Sequence, residues 1–279
     1  MSQKRVKKQP SYLSKLWQFV AGYYFIIIIV LCVGFVGAVS AYKFFIAKPT
    51  YIYVRVKVGQ GLWWASTLKP NQWLIEAIRH TTEENDLIGG LTAKLTEVII
   101  YPWTLSGQYD VYVTAKIRVS KQGNTGKYSF KRETLGVGGP IEFEFPNVQF
   151  SGSVVELSEE PLVTRYIEKT VYLTKKYGFP WEYEAIQIGD TYNDGKEVVF
   201  NVLDKTTSDS ADFNFIEWNP ISTEIVSTRQ YITIKALIKG QMINDQFVFG
   251  QEQVVAPGKA ISVSTNRFTY SDFVISKVE

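Results

Sequence analysis

Trp73-Leu74-Ile75-Glu76-Ala77-Ile78 returns 108 residues later as Trp181-Glu182-Tyr183-Glu184-Ala185-Ile186, and the return decides the fold. Each hexapeptide is followed, after six more residues, by Asn-Asp (Asn85-Asp86 and Asn193-Asp194), and Leu95 with Leu203 keeps the spacing. Farther on, Tyr112-Val113-Thr114-Ala115-Lys116 answers Tyr231-Ile232-Thr233-Ile234-Lys235 at an offset of 119. Tyr128-Ser129-Phe130 answers Phe247-Val248-Phe249, and Glu133 answers Glu252, at the same offset. At 120, Gly138-Gly139-Pro140-Ile141 answers Gly258-Lys259-Ala260-Ile261, Phe150-Ser151 answers Tyr270-Ser271, and Val154-Val155 answers Val274-Ile275. Matches in a common order, with one substantial gap, mark an internal duplication.

Within each copy the hydrophobic pattern is that of strands. Tyr51–Val58 alternates aromatic residues or Val with basic ones over much of its length, and 109–119, 127–130 and 141–145 alternate as half-buried strands do. Gly123-Asn124-Thr125-Gly126 and Ile243-Asn244-Asp245 are hairpin turns by their residue types. Pro70–Ile78 and Phe179–Ile186 are short helical turns entered through Pro. The expected fold is mainly β, two tandem duplicated small antiparallel barrels or sandwiches over residues 50–160 and 161–279, with about six strands in each.

Outward from the copies lies a different composition. Residues 1–17 form a basic leader, and residues 18–46 predict a transmembrane helix, because 19–41 contains no charged side chain. A span needs about 20 such residues. A cleaved signal sequence is the rival reading, since Val39-Ser40-Ala41 is a tolerable cleavage site, but the apolar run exceeds the usual length of about 7–15. Five basic residues precede the run, which places the N-terminus in the cytoplasm and the β domains across the membrane. Gly34, Gly37, Ala38 and Ala41 recur at the spacing that lets two membrane helices pack closely.

The net charge of +3 hides an asymmetry. Ten basic residues precede Glu76, the first acidic one, and residues 76–279 hold 20 basic against 27 acidic side chains, or about −7. Basic charge beside an apolar span suits anionic headgroups, whereas an acidic folded part argues against nucleic acid. One Cys, Cys32, allows no internal disulfide, and one His, His80, allows no multi-histidine metal site. No phosphate loop, nucleophile elbow or H-E-x-x-H stands in the chain, so no enzyme class, metal or cofactor is expected. Glu76 with Asp86, and Glu184 with Asp194, are carboxylates that a hard cation would accept. The structural alternative is that Trp and Ile plug the barrel end while Asn-Asp turns the chain into the next strand.

Aromatic residues in loops are the better lead to a surface. The second copy carries an extra segment, about 206–228, with Phe213, Phe215 and Trp218; Trp63-Trp64, after Gly59 and Gly61, form a second group. Long loops bearing aromatics bind partners or pack on their own domain.

Glu76-Ala77-Ile78, Tyr112-Val113-Thr114 and Gly138-Gly139-Pro140-Ile141-Glu142-Phe143 resemble an uncharacterised family of bacterial single-pass membrane proteins with an extracytoplasmic β domain of unknown function. That resemblance implies fold and location and contributes no activity. The expected function is that of a membrane-anchored, non-enzymatic envelope protein whose tandem β domains act in assembly or hold a partner near the bilayer. The partner is another protein or a second copy of the chain. A glycan- or cell-wall-binding module and an adaptor of a transport or secretion complex are the alternatives.

Overall fold

The computed structural model describes residues 12–41, 49–59, 69–87, 89–102, 108–122, 126–209 and 229–279. It divides into an N-terminal unit and a compact unit spanning Thr50–Glu279.

The N-terminal unit contains one helix, α1 (Tyr12–Ala41), with non-helical dihedrals at Tyr23. Its window Gly22–Val39 has a mean hydropathy of 2.5, long enough and apolar enough to cross a membrane. Gly34, Gly37 and Ala38 are exposed on it, and Ala41 is its last residue.

The second unit is β-rich and repeats one topology. The first copy runs β1 (Thr50–Val58), α2 (Gln72–Arg79), β2 (Glu83–Asn85), β3 (Leu91–Pro102), β4 (Tyr109–Gln122), β5 (Lys127–Phe130), β6 (Glu133–Thr134), β7 (Pro140–Phe145) and β8 (Val148–Ser158). The second runs β9 (Ile167–Gly178), α3 (Pro180–Ala185), β10 (Thr191–Asn193), β11 (Val198–Asp209), β12 (Gln230–Ile243), β13 (Gln246–Phe249), β14 (Gln253–Val254), β15 (Ala260–Ser264) and β16 (Thr269–Val278). The sheet orders are β2-β3-β4-β1-β8-β7 and β10-β11-β12-β9-β16-β15, with β5–β6 and β13–β14 appended to the central strands. Six strands therefore form each curled path, and two short ones extend it. Trp73 and Trp181 are each the second residue of their short helix, and Ile141 and Ile261 the second of β7 and β15.

Bulges refine the match. Thr96 and Leu203 bulge against the central strands, and Val155 and Ser276 bulge against β1 and β9. This register sets Ala115 on Ala236 and Val154 on Ile275, 121 residues apart rather than 119 or 120. Turn lengths explain the drift. Four residues separate the paired Gln122 and Lys127, but only two, Asn244 and Asp245 with positive φ at both, separate the paired Ile243 and Gln246. One residue is regained at Glu252 and one at the Ser271-Asp272 bulge opposite Ser262. Glu252 is thus an inserted residue and not the counterpart of Glu133, and Val274 faces outward where Val154 faces the core.

Each copy curls round an apolar core. Ile52, Val54, Val56 and the clustered Phe143, Phe145 and Phe150 fill the first; Val171, Leu173, Phe200, Tyr270 and Phe273 fill the second. Burial of each such side chain is worth about 1.5–3 kcal/mol. Isoleucines Ile78 and Ile186 plug the barrel ends, both fully buried, whereas Trp73 and Trp181 are 70% and 59% exposed. Only half of the expected plug is therefore correct. In so short a helix the residue five places before the inward Ile faces away from the core.

Candidate functional site

The copies are joined along a seam, and a cleft opens beside it. Its first contact uses the Asn-Asp turn. Strand β2 pairs with β3 only from Leu91 to Lys94, leaving the later edge of β3 uncovered by β2. Onto that edge the second copy lays Asn193-Asp194-Gly195: the Ile100 N–H donates to the Asp194 carbonyl (2.8 Å), and the Tyr192 hydroxyl donates to the Ile100 carbonyl (2.6 Å). Gly195 has φ +104°, and a Cβ there would stand 2.9 Å from the Val98 carbonyl oxygen. The Asp194 side chain is fully buried and accepts the N–H groups of Lys196 (2.9 Å) and Glu197 (3.0 Å), with the Tyr101 (3.2 Å) and Tyr166 hydroxyls.

The second contact is ionic. Arg55, in the outward register of β1, is nonetheless 6% exposed, because the segment between β8 and β9 covers it. Its guanidinium donates to Glu156 (3.0 Å) and Thr164 (3.0 Å) and lies 3.7 Å from Glu97. Lys196 of the second copy reaches Glu97 at 2.7 Å.

In the third, the inserted Glu252 accepts hydrogen bonds from Lys57 and from Tyr112 (2.7 Å), both in the first copy. Lys57 and Lys69 also pair with Asp110, at 3.4 and 2.5 Å. Burial alone would raise the Glu252 carboxyl, but the Lys57 and Tyr112 hydrogen bonds and the nearby lysine charges hold it below the usual glutamate range.

Between these contacts lies a cleft of about 530 Å³. Arg55, Tyr112, Glu156 and Glu252 supply its polar lining; Val155, Val163, Met242 and Ile243 supply aliphatic surface. All four aliphatic residues are exposed, Val163 to 65%. Gln241 and Gln251, which also line it, own two of the five buried side-chain atoms among the described residues that lack a hydrogen-bond partner. The lining draws on β8, the β8–β9 connection, the tip of the β12–β13 hairpin and the turn after β13.

The aromatic residues singled out in the sequence, Phe213, Phe215, Trp218, Trp63 and Trp64, lie outside the described residues. The proposed cation ligands take other partners. Asp86 accepts the Gly90 N–H (2.7 Å) and pairs with Arg118 (3.0 Å), and Glu184 is exposed while Asp194 is buried among tyrosines. Among the described residues no group of three or more His, Cys, Asp or Glu gathers. Sequence reasoning missed Val163, Met242 and Ile243, which are ordinary apolar residues beside turns and carry no pattern of their own. It also passed over Trp73 and Trp181 as surface residues, although both copies retain a tryptophan there. No family model, no curated protein and no solved structure matches the chain.

Proposed function

We propose that this chain is a single-pass, membrane-anchored, non-enzymatic envelope protein whose tandem β domains hold a protein partner near the bilayer, in the cleft between the two copies. Residues 1–17 are then cytoplasmic, α1 crosses the membrane and residues 50–279 are extracytoplasmic, belonging with the bacterial family resembled in the sequence. The basic leader and the uncharged run of α1 support that orientation.

The observation that carries the reading is the set of exposed aliphatic side chains gathered on one cleft with a charged floor. Leaving Val163 and Met242 about half exposed or more costs apolar burial, whereas an apolar rim around polar groups is the surface form of a binding site. Clefts between domains are also where ligands preferentially sit. The single His and single Cys leave little catalytic inventory, and His80 is exposed beside Glu76 at 3.9 Å, away from the cleft lining.

The test is co-purification of the tagged full-length protein from membranes, with Val163→Asp and Met242→Asp compared to the parent. Both variants are expected to melt at the parental temperature and to lose the co-purifying protein. Retention of the same protein by both would refute the assignment of the cleft.

A further inference from the structure

Because the two copies share one fold, each position in the second can be compared with its counterpart in the first. One set of changes in charge gathers at one end of the second curled sheet. In the first copy that end is apolar: Val58, Leu74 and Phe145 are buried members of a single core cluster. By strand register and helix position, their counterparts are Lys175, Glu182 and Thr265. Leu74 and Glu182 are both the third residue of their short helix, and Phe145 and Thr265 both precede a two-residue turn closed by residue 148 or 268. Phe145 gives way to Thr265 and two aliphatic side chains to an ion pair of 2.8 Å, while Val148 and Gly152 give way to Phe268 and Phe273, whose rings pack together beneath the new polar groups. The inserted Asp272 adds a second carboxylate, 3.5 Å from Lys175.

The outcome is a cleft of about 480 Å³ bordered by Trp181 and by Arg267 in the turn. Exchanging packed aliphatic groups for a largely buried ion pair brings no stability, since desolvation offsets the attraction. Glu182 keeps one folding role, its second carboxylate oxygen accepting the Phe179 N–H (2.8 Å) at the start of α3, while Lys175, Arg267, Asp272 and the exposed Trp181 line the cleft and suit a ligand. Trp181 is held as a platform: its indole stacks on Phe179 (6.1 Å, 21°) and meets Phe268 at a tilt (6.4 Å, 59°), and the Arg229 guanidinium lies 3.2 Å from the Phe179 ring centroid.

The charges select the chemistry. Within the cleft Lys175 pairs with both Glu182 and Asp272, and Arg267 lies 3.7 Å from Asp190, a carboxylate outside the lining. An ionic ligand would have to break these pairs. A neutral ring with an apolar face and hydroxyls around its edge needs no such exchange, because spare lone pairs and N–H groups accept and donate side by side. We propose that the second copy binds a neutral pyranose of a glycan, stacked on Trp181 with its hydroxyls directed to Arg267, Asp272 and Thr265. The site shares no residue with the cleft between the copies, so the two readings fail separately.

Full-length protein in lipid nanodiscs, free of sugar-headed detergent, is titrated calorimetrically with tetrasaccharides of glucose, of mannose and of N-acetylglucosamine, and with tetragalacturonate as the anionic control. At least one neutral tetrasaccharide is expected to bind saturably. Trp181→Ala, an exposed position, and Thr265→Phe, which restores the ring of the first copy, should each weaken it about tenfold or more. Trp73→Ala, the equivalent change in the first copy, should leave it unchanged. No binding of any neutral sugar, tighter binding of tetragalacturonate, or equal loss from Trp73→Ala and Trp181→Ala overturns the proposal. If Thr265→Phe lowers the melting temperature, the contrast between the two tryptophan variants decides.

Discussion

Asp194 shows how much one side chain changes with its setting. Its counterpart Asp86 makes an exposed turn, while Asp194 closes the seam with two backbone N–H groups and two tyrosine hydroxyls. A buried donor left without its acceptor costs about 1–3 kcal/mol, so Asp194→Ala, which orphans several, should lower stability by about 2 kcal/mol or more in urea titration, while Asp86→Ala costs under about 1 kcal/mol. Gly195→Ala should also destabilise, by about 1–3 kcal/mol, because its φ and the Val98 carbonyl both exclude a side chain. The sequence displayed both Asn-Asp pairs as turns, and turns they are. It held no sign that Gly195 in place of Leu87 frees one of them to dock.

Titration belongs to the same scale. The Glu252 carboxyl is depressed in the fold, so its contribution is complete above the unfolded value of about 4.3 and is lost as the pH falls through the folded value. Stability should decline below pH about 4.3, and Glu252→Gln should flatten that acid limb. Burial, followed by neighbouring charges and hydrogen bonds that include Asp194, raises the Tyr101, Tyr166 and Tyr192 hydroxyls. A raised phenol stabilises fully below its unfolded value of about 10 and loses that contribution as the pH rises further. Ultraviolet titration of phenolate should therefore lag in the folded protein and coincide with alkaline unfolding.

Among the elements, α2 and α3 show what periodicity reveals and what it hides. The Pro entering each repeated hexapeptide announced a helical turn in each copy, yet the repeat did not tell which of Trp and Ile faces in. Ile78→Ala and Ile186→Ala should each cost about 2–5 kcal/mol by emptying a barrel end, whereas Trp73→Ala should leave the melting temperature within a degree or two. The strands were legible because inward residues alternate, as Ile232, Ile234, Ala236 and Ile238 do along β12. Register was not, because a displacement of two residues keeps every side chain on its face. Tyr112–Lys116 therefore matched Tyr231–Lys235 by residue type, while the bulges at Thr96 and Leu203 set the pairing two residues farther on.

For the whole molecule, the duplication and the apolar N-terminal helix were visible in the chain, and the seam was not. A sequence comparison treats the copies as separable. The structure places Ile99, Tyr101 and Tyr112 of the first copy in the core cluster of the second. Contacts of this kind join side chains about a hundred residues apart and leave no local pattern. Residues 50–279 should accordingly unfold in one cooperative transition, and calorimetry that resolves two would count against a shared core.

The cleft beside that seam carries the functional account, and crosslinking in native membranes tests it most directly. A photoreactive amino acid placed at Val163 or Ile243, within the cleft, is compared with one at Val137, which is as exposed as Val163 and lies outside the lining. The account predicts a discrete higher-mass adduct with a second protein from the two cleft positions and none from Val137. Adducts absent from the cleft positions, or equally strong from Val137, would contradict it.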